Sequence, residues 1–227
     1  MSNILGQRYE EAVAFVSALL RRQPDLLRKG KVADAIGELA VLRLFLLQGG
    51  KFDLPAHAGG SPAAHERLGR RLAAGLDRLP SFAGPVALRA PLTDAELSRY
   101  EERHSIVAGR CCATTFSGTP GQAGNTDFVT FSVEGRHTAV LEASDPDVVL
   151  FPPSTFFTVL CVRRGAPGQR NVVFLRELRS QADQTHQETD RGVLRQLEMA
   201  LADWQRDEKA GIRRTSRPHR LFHPPLV

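Results

Sequence analysis

The chain of 227 residues is 42% hydrophobic and 24% charged, which is typical of a globular protein with a sizeable core and excludes a disordered chain. Its formal net charge is +5, but six basic against two acidic residues from Arg206 onward supply most of it, so the body is nearly neutral. This distribution argues against a nucleic-acid-binding body and leaves only the hypothesis that the Arg206 to Arg220 tail binds nucleic acid.

Location and metal content follow from what the sequence lacks. The first residues, MSNILGQRYEE, contain no basic segment followed by an apolar run, so no Sec-type signal peptide is predicted. The longest apolar stretch, Leu39 to Leu47, is interrupted by Arg43 and falls short of the roughly 20 residues that cross a bilayer. The three cysteines lack the spacing of a zinc site, so no metal is expected. We expect a soluble protein without a membrane partner, either cytoplasmic or exported as an effector without a cleavable signal peptide.

Three helices are predicted before the first strand. Tyr9 to Arg22 carries apolar residues at helical spacing and is ended by Pro24. Lys31 to Gln48 has few polar positions and should be the most buried helix, whereas Pro62 to Leu79 repeats leucine at helical intervals. These helices are expected to form an N-terminal helical lobe over residues 1–80, either as an accessory lobe or as a structural cap.

Short runs of β-branched and aromatic residues separated by turn formers predict a mostly antiparallel sheet. Glu134-Gly135 is one such turn former, and the capping box that begins at Thr93 predicts a helix to about His104. A last helix is predicted over Asp190 to Glu208, which completes a core over residues 81–208. A basic, Pro-containing tail over 209–227 is expected to be extended or disordered. The predicted strands are Pro85–Arg89, Arg110–Phe116, Phe128–Val133, His137–Leu141, Val148–Phe151, Thr155–Val162 and Val172–Leu175.

One segment carries a family resemblance. The sequence VVLFPPSTFF from Val148 to Phe157, preceded by Asp145-Pro146-Asp147, resembles the acidic-x-acidic-V-L-F-P-P-G-T-x-F segment of ADP-ribosyltransferases. Between Pro85 and Leu178 the order of an arginine strand, a hydroxyl-rich strand and an acid-preceded strand is also similar to that family. The resemblance implies a divergent mono-ADP-ribosyltransferase of the Arg / Ser-Thr-Ser / Glu class, of bacterial toxin or effector type. It also implies an α+β fold, with a split antiparallel β core, an N-terminal helical lobe and a C-terminal helix.

The resemblance also suggests which residues bind NAD, the co-substrate. Arg89 matches the family's strand arginine, and a planar guanidinium can make paired, charge-assisted hydrogen bonds to a diphosphate or ribose. Thr114, Thr115 and Ser117 stand where the family has Ser-Thr-Ser. On a strand, Thr115 and Ser117 would share one face and Thr114 would lie on the other, so only some of these hydroxyls can line one site.

The catalytic carboxylate has three candidates. The family places Glu directly before Val-Leu-Phe-Pro-Pro, a position that Val148 takes in an ungapped alignment. Asp147 and Asp145 keep the acidic-x-acidic spacing if one residue is inserted, and Glu142 ends the preceding predicted strand. A carboxylate is required because the ribose becomes oxocarbenium-like as nicotinamide leaves. Asp147 is the preferred candidate.

The function implied by the resemblance is NAD-dependent transfer of ADP-ribose to a protein side chain, such as that of a host protein, with release of nicotinamide. One alternative is NAD glycohydrolysis, in which water replaces the acceptor. The other is a catalytically degenerate member that binds a peptide or a partner protein, because the Ser-Thr-Ser spelling is absent and the acid is displaced.

Overall fold

The structure of the protein is a computed structural model, in which residues 2–27, 30–48, 62–108, 112–115, 124–141, 147–180 and 187–211 are described. The chain divides into two compact units. One comprises Met1–Pro80 and Thr138–Pro146, and the other comprises Ser81–His137 and Asp147–Val227. Within the described ranges, no helix is both long and apolar enough to cross a membrane.

The first unit contains three helices: α1 (Ser2–Arg22), α2 (Val32–Leu47) and α3 (Pro62–Arg78). Helix α1 begins earlier than the periodicity predicted, and the backbone of Gly6 (φ 56°) interrupts its helical geometry. The prediction that α2 is the most buried helix of this unit agrees with its interior residues, whose apolar positions lie on all sides of the helix. Its buried residues are Ala35, Gly37, Leu39, Ala40, Val41, Leu42, Leu44, Phe45 and Leu46.

Close packing and one ion pair join α2 to α3. A Cβ atom on Gly75 of α3 would lie 2.7 Å from the backbone oxygen of Glu38 in α2, so only glycine permits this approach. The side chain of Glu38 accepts a hydrogen bond from Arg78 at 2.5 Å, and both groups are largely shielded from solvent. The backbone contact and the ion pair together fix the relative position of the two helices.

Arg43 explains why the predicted strand His137–Leu141 is wrong. This residue interrupts the apolar α2, stacks over the Phe15 ring at 3.5 Å and donates to the backbone oxygen of Leu141. Leu141 is fully buried, and its N–H closes a turn onto the Thr138 oxygen at 2.8 Å. The backbone groups of Leu141 are therefore taken by a turn and an arginine. His137 ends β4, and the chain from Thr138 onward groups with the helices instead of extending the sheet.

The second unit contains the sheet. Among the described residues, seven strands form it in the order β1-β3-β5-β4-β7-β6-β2, with an additional pairing between β1 and β4. The bounds are β1 Ser81–Ala90, β2 Ser105–Val107, β3 Cys112–Thr115, β4 Thr126–His137, β5 Val148–Phe151, β6 Phe156–Arg163 and β7 Asn171–Leu178.

The pairing is antiparallel throughout except between β4 and β7, which run parallel. Strand β1 pairs with both β3 and β4, and β5 also pairs with both, so these four strands form a closed circuit. The expected α+β class, with helices before the strands and a helix after them, is confirmed.

Strand β4 continues through Glu134-Gly135, where the sequence predicted a turn between two strands. The Oε2 atom of Glu177, on β7, explains the difference. It accepts hydrogen bonds from three consecutive backbone amides of β4 and from one hydroxyl. The donors are Val133 N at 2.6 Å, Glu134 N at 2.9 Å, Gly135 N at 3.2 Å and Ser132 Oγ at 3.1 Å. A buried carboxylate thus satisfies amides that an irregular strand would leave unpaired.

The helix predicted from Thr93 to His104 is much shorter. The capping box is present, but α4 spans only Asp94–Leu97. Further along, Arg103 has a positive φ of 68°, its N–H donates to the Val159 oxygen, and the His104 oxygen accepts from Val159. The backbone after α4 is therefore drawn onto the edge of β6, where it forms β2, a strand that the sequence did not predict.

Helix α5 (Gln187–Lys209) covers one face of the sheet and begins three residues before the predicted start. Trp204, the chain's one tryptophan, lies in this interface and can report on the folding of the second unit. The cluster between α5 and the strands comprises Ala87, Val129, Val172, Phe174, Val193, Leu197, Leu201 and Trp204.

Glu177 predicts a pH dependence of stability. Burial raises the pKa of Glu177, and the backbone and Ser132 hydrogen bonds oppose that rise without cancelling it. From about pH 4.3, the ordinary value for Glu, up to the raised folded-state pKa, the unfolded chain ionises while the folded protein retains the proton. The free energy of unfolding should therefore fall as the pH rises through this window.

The measurement is urea unfolding of the wild type and of Glu177→Gln at several pH values, followed by Trp204 fluorescence. The free energy of unfolding of the wild type should fall relative to that of Glu177→Gln as the pH rises. Glu134→Gln, at an exposed neighbouring acid, is the control and should show no such trend. A wild-type advantage that grows with pH would contradict the raised pKa.

Candidate active site

Strands β1, β3 and β5, which bear the three predicted blocks, lie side by side in the sheet. Ala87 of β1 is paired with Thr115 of β3, and Thr115 is paired in turn with Val148 of β5. The arginine strand, the hydroxyl strand and the strand preceded by the acids are thus neighbours, although up to 60 residues of chain separate their blocks in sequence.

The register separates the two threonines. Paired residues on adjacent strands project to the same face, so Thr115 lies on the face of Ala87 and therefore of Arg89, two residues further along β1. Thr115 is fully buried. Thr114 lies on the opposite face, and its hydroxyl donates to the Val149 oxygen at 3.2 Å. The geometry favours Thr115 over Thr114 as a companion of Arg89, whereas Ser117 lies outside the described residues.

Arg89 is almost completely buried and is held by two carboxylates. Its Nε donates to Asp127 Oδ1 at 2.6 Å, and its Nη2 lies 3.4 Å from Oδ2. Its Nη1 and Nη2 also donate to Glu208 on α5, at 3.2 and 3.4 Å. Burial alone would lower the pKa of Arg89, but Asp127 and then Glu208 raise it above its ordinary value. Arg89 therefore remains a cation.

Arg170, just before β7, closes the arrangement into a ring. Its Nε donates to Asp127 Oδ2 at 3.1 Å and its Nη2 to Glu208 Oε2 at 2.7 Å. Burial alone would raise the pKa of Glu208, but Arg89 and then Arg170 bring it below the usual range. We call these four residues (Arg89, Asp127, Arg170 and Glu208) the ionic ring.

Sequence reasoning missed three of the four ring residues. Asp127 lies directly opposite Arg89 in the β1–β4 ladder, and both side chains are buried in otherwise apolar strands. A charged residue in a buried strand needs a partner of opposite charge. This rule could have paired Arg89 with Asp127. Arg170 and Glu208 come from a loop and a distant helix, and no local signal identifies them.

Asn125 fixes the chain just beyond Arg89. Its side-chain amide donates to the Leu92 oxygen at 2.7 Å and accepts from the Leu92 N–H at 2.8 Å. These two bonds imitate one rung of an antiparallel ladder and extend the pairing of β1 with β4 past Ala90. The end of β1 that bears Arg89 is therefore held rigidly.

Asp147 immediately precedes β5, whose first residue, Val148, pairs with Thr115. Strand alternation would place Asp147 on the face of Thr114, but Asp147 lies outside the ladder, which therefore does not fix the direction of its side chain. Its side chain is half-buried, and it makes no hydrogen bond or ion pair with the described part of the chain. Within the described residues, this half-buried carboxylate at the start of a core strand can accept a ligand. Glu142 and Asp145, the other two candidates, lie outside the described residues.

No protein-family model and no curated protein matches the sequence. Among solved structures, the chain is similar to the type III effector XopAI from Xanthomonas axonopodis pv. citri, with a TM-score of 0.61 and 20% identity, covering 76% of this chain and 73% of that one. It is also similar to the ADP-ribosyltransferase Vis from Vibrio splendidus, in complex with agmatine (TM-score 0.53, 16% identity, 76% and 87% covered).

A third similar structure is the ADP-ribosyltransferase HopU1 of Pseudomonas syringae pv. tomato DC3000, with a TM-score of 0.52 and 12% identity, covering 76% of this chain and 98% of that one. At such identities the likeness concerns the path of the backbone and not the activity. The protein has a divergent ADP-ribosyltransferase-like fold, as the sequence resemblance implied.

Proposed function

We propose that this protein transfers ADP-ribose from NAD to a protein side chain and releases nicotinamide. The observation that carries the proposal is the juxtaposition of Arg89, Thr115 and the Asp147 end of β5 on three neighbouring strands of an ADP-ribosyltransferase-like fold. An anion-binding group, a hydroxyl and a carboxylate are the groups that such a transfer requires.

In the proposed reaction the bond between the ribose and the nicotinamide nitrogen breaks, and its electron pair leaves with nicotinamide, which becomes neutral. The ribose carbon gains oxocarbenium character, which the Asp147 carboxylate stabilises electrostatically. A nucleophilic atom of the acceptor then forms the new bond and loses a proton to solvent. Arg89 holds the diphosphate, and Thr115 contributes a hydroxyl near the ribose.

The acceptor class is part of the proposal. Vis has been crystallised with agmatine, a small guanidinium compound. A guanidinium-bearing protein side chain is therefore the first acceptor to test, and agmatine is its small-molecule probe. The similarity to XopAI, a type III effector, supports the proposal that the acceptor is a protein of a host cell.

The test is calorimetric titration with NAD together with an assay of nicotinamide release, with and without agmatine. The wild type should bind NAD and release nicotinamide, faster with agmatine present. Arg89→Lys should weaken NAD binding at least about tenfold, because an ammonium cannot make the paired hydrogen bonds of a guanidinium. Arg163→Lys, which alters an exposed ion pair with Glu198, is the matched control.

Absence of both NAD binding at about millimolar concentration and nicotinamide release would exclude the transferase. Release that is indifferent to agmatine and to protein acceptors would favour the glycohydrolase.

A second candidate function is a binding module without catalysis. It is favoured by the ionic ring, in which carboxylates already occupy the Arg89 guanidinium, and by threonines where the family has Ser-Thr-Ser. A peptide or partner protein would then bind in place of NAD. A well-folded protein that neither binds NAD nor releases nicotinamide would leave this function in place of the transferase.

A further inference from the structure

The ionic ring is an alternating circuit of two arginines and two carboxylates. Each arginine contacts both acids, and each acid contacts both arginines, at distances of 2.6 to 3.4 Å. The four charges sum to zero. Removal of either carboxylate would leave two guanidinium groups and one carboxylate, which together carry a net positive charge.

The two carboxylates differ in how firmly they are held. The Asp127 side chain is only 4% exposed, is anchored on the central strand β4 and takes the Arg89 Nε. The Glu208 side chain is 36% exposed and lies in the last turn of α5. Glu208 therefore already reaches solvent from a helix terminus, whereas Asp127 is enclosed within the sheet unit.

The donors released by Glu208 converge on one position. Its Oε1 accepts from the Arg89 Nη1, and its Oε2 accepts from the Nη2 atoms of both Arg89 and Arg170. Two guanidinium groups aimed at one pair of oxygens form the arrangement that binds a phosphate oxyanion, because planar N–H donors match its oxygens in pairs. A carboxylate and a phosphate group use the same donors.

We propose that Arg89 and Arg170 together form a phosphate-binding position, and that Glu208 occupies this position in the present conformation as an internal substitute for the ligand. The choice of the NAD diphosphate as the ligand rests on the proposed function. Arg170 is then a second ligand-binding arginine, and Glu208 competes with the ligand.

The proposal is tested by calorimetric titration with inorganic pyrophosphate and, separately, with NAD, on full-length variants whose folding is checked by Trp204 fluorescence. Glu208→Gln should bind pyrophosphate about tenfold more tightly than the wild type, since a charge-assisted hydrogen bond is worth about one factor of ten in affinity. Adding Arg170→Met to Glu208→Gln should abolish this gain. Glu198→Gln and Arg163→Met alter a comparable exposed pair on α5 and β6 and should leave the affinity unchanged.

Two results would overturn the proposal: an affinity of Glu208→Gln within about twofold of that of Glu198→Gln, or a gain that survives Arg170→Met. If the ionic ring served only stability, Glu208→Gln would change the melting temperature but not the affinity for pyrophosphate. That result would also overturn the proposal. The NAD titration separates the two hypotheses. Tighter pyrophosphate binding without NAD binding would support the phosphate position and exclude the transferase. Nicotinamide release with an unchanged KM for NAD in Glu208→Gln would support the transferase and exclude the competing role of Glu208.

Discussion

Replacing Asp147 by Asn should slow nicotinamide release about 10²- to 10³-fold, the loss typical when one electrostatic stabiliser of a transition state is removed. The amide has nearly the same shape as the carboxylate but no charge to stabilise the oxocarbenium-like ribose. NAD affinity should change by less than about threefold, because positive charge moves from the nicotinamide ring onto the ribose only as the bond between them breaks. Single-turnover release and calorimetric titration measure the two quantities independently.

The matched variants are Glu142→Gln and Asp145→Asn, which neutralise the other acidic candidates before β5. If Asp147 is the catalytic carboxylate, each of these variants should retain release within a few-fold of the wild type. A large loss in one of them, with Asp147→Asn active, would transfer the role to that acid. Activity close to that of the wild type in all three variants would mean that none of these three carboxylates is individually required.

The helices and most strands of this fold could be predicted from the sequence because their signals are local. The apolar α2 and the leucine spacing of α3 predict buried helices, and VVLF before Pro152 predicts a buried strand. Apolar residues recur along the sequence at the positions that lie on the buried face of a helix or strand. This pattern is visible in consecutive residues.

The errors arose where a distant residue decides the local structure. Glu134-Gly135 has the composition of a turn, yet β4 continues because Glu177, more than 40 residues later, binds its amides. The run from His137 to Leu141 has strand composition, but Arg43 of α2, 98 residues earlier, takes the Leu141 oxygen. Turn and strand propensities cannot anticipate such contacts, because they describe only neighbouring residues.

The sequence could indicate only those parts of the candidate site that have local signals. The strand of the VLFPP segment and the strand of the arginine both pair with β3, and Arg89 could be proposed from its position in the resemblance. Its partners could not, because Asp127 and Glu208 follow it by 38 and 119 residues. The charge state and accessibility of Arg89 depend on those partners, so the sequence indicates Arg89 as a candidate ligand-binding residue but not the carboxylates that hold its guanidinium group.

Asp127→Ala should lower the free energy of unfolding by about 3 to 5 kcal/mol, the usual cost of breaking a buried ion pair from one side. The Arg89 and Asp127 side chains are only 7% and 4% exposed, so the guanidinium would lose its nearest carboxylate in a site that water reaches poorly. Urea unfolding followed by Trp204 fluorescence measures this cost. Glu198→Gln, which breaks the exposed pair with Arg163, should cost no more than about 1 kcal/mol. If Asp127→Ala lowered the free energy of unfolding by no more than Glu198→Gln does, the Arg89–Asp127 pair would be solvated.

The double variant Arg89→Met/Asp127→Leu should recover most of that stability, because it removes both buried charges and fills their space with apolar groups. Arg170 and Glu208 remain paired with each other at 2.7 Å near the surface, so no buried charge is left alone. If Arg89 is needed only for folding, this stable variant should bind NAD like the wild type. If Arg89 holds the diphosphate, the variant should be well folded and yet fail to bind NAD. Stability and ligand binding are thus separated in one molecule, which a single substitution at Arg89 cannot achieve.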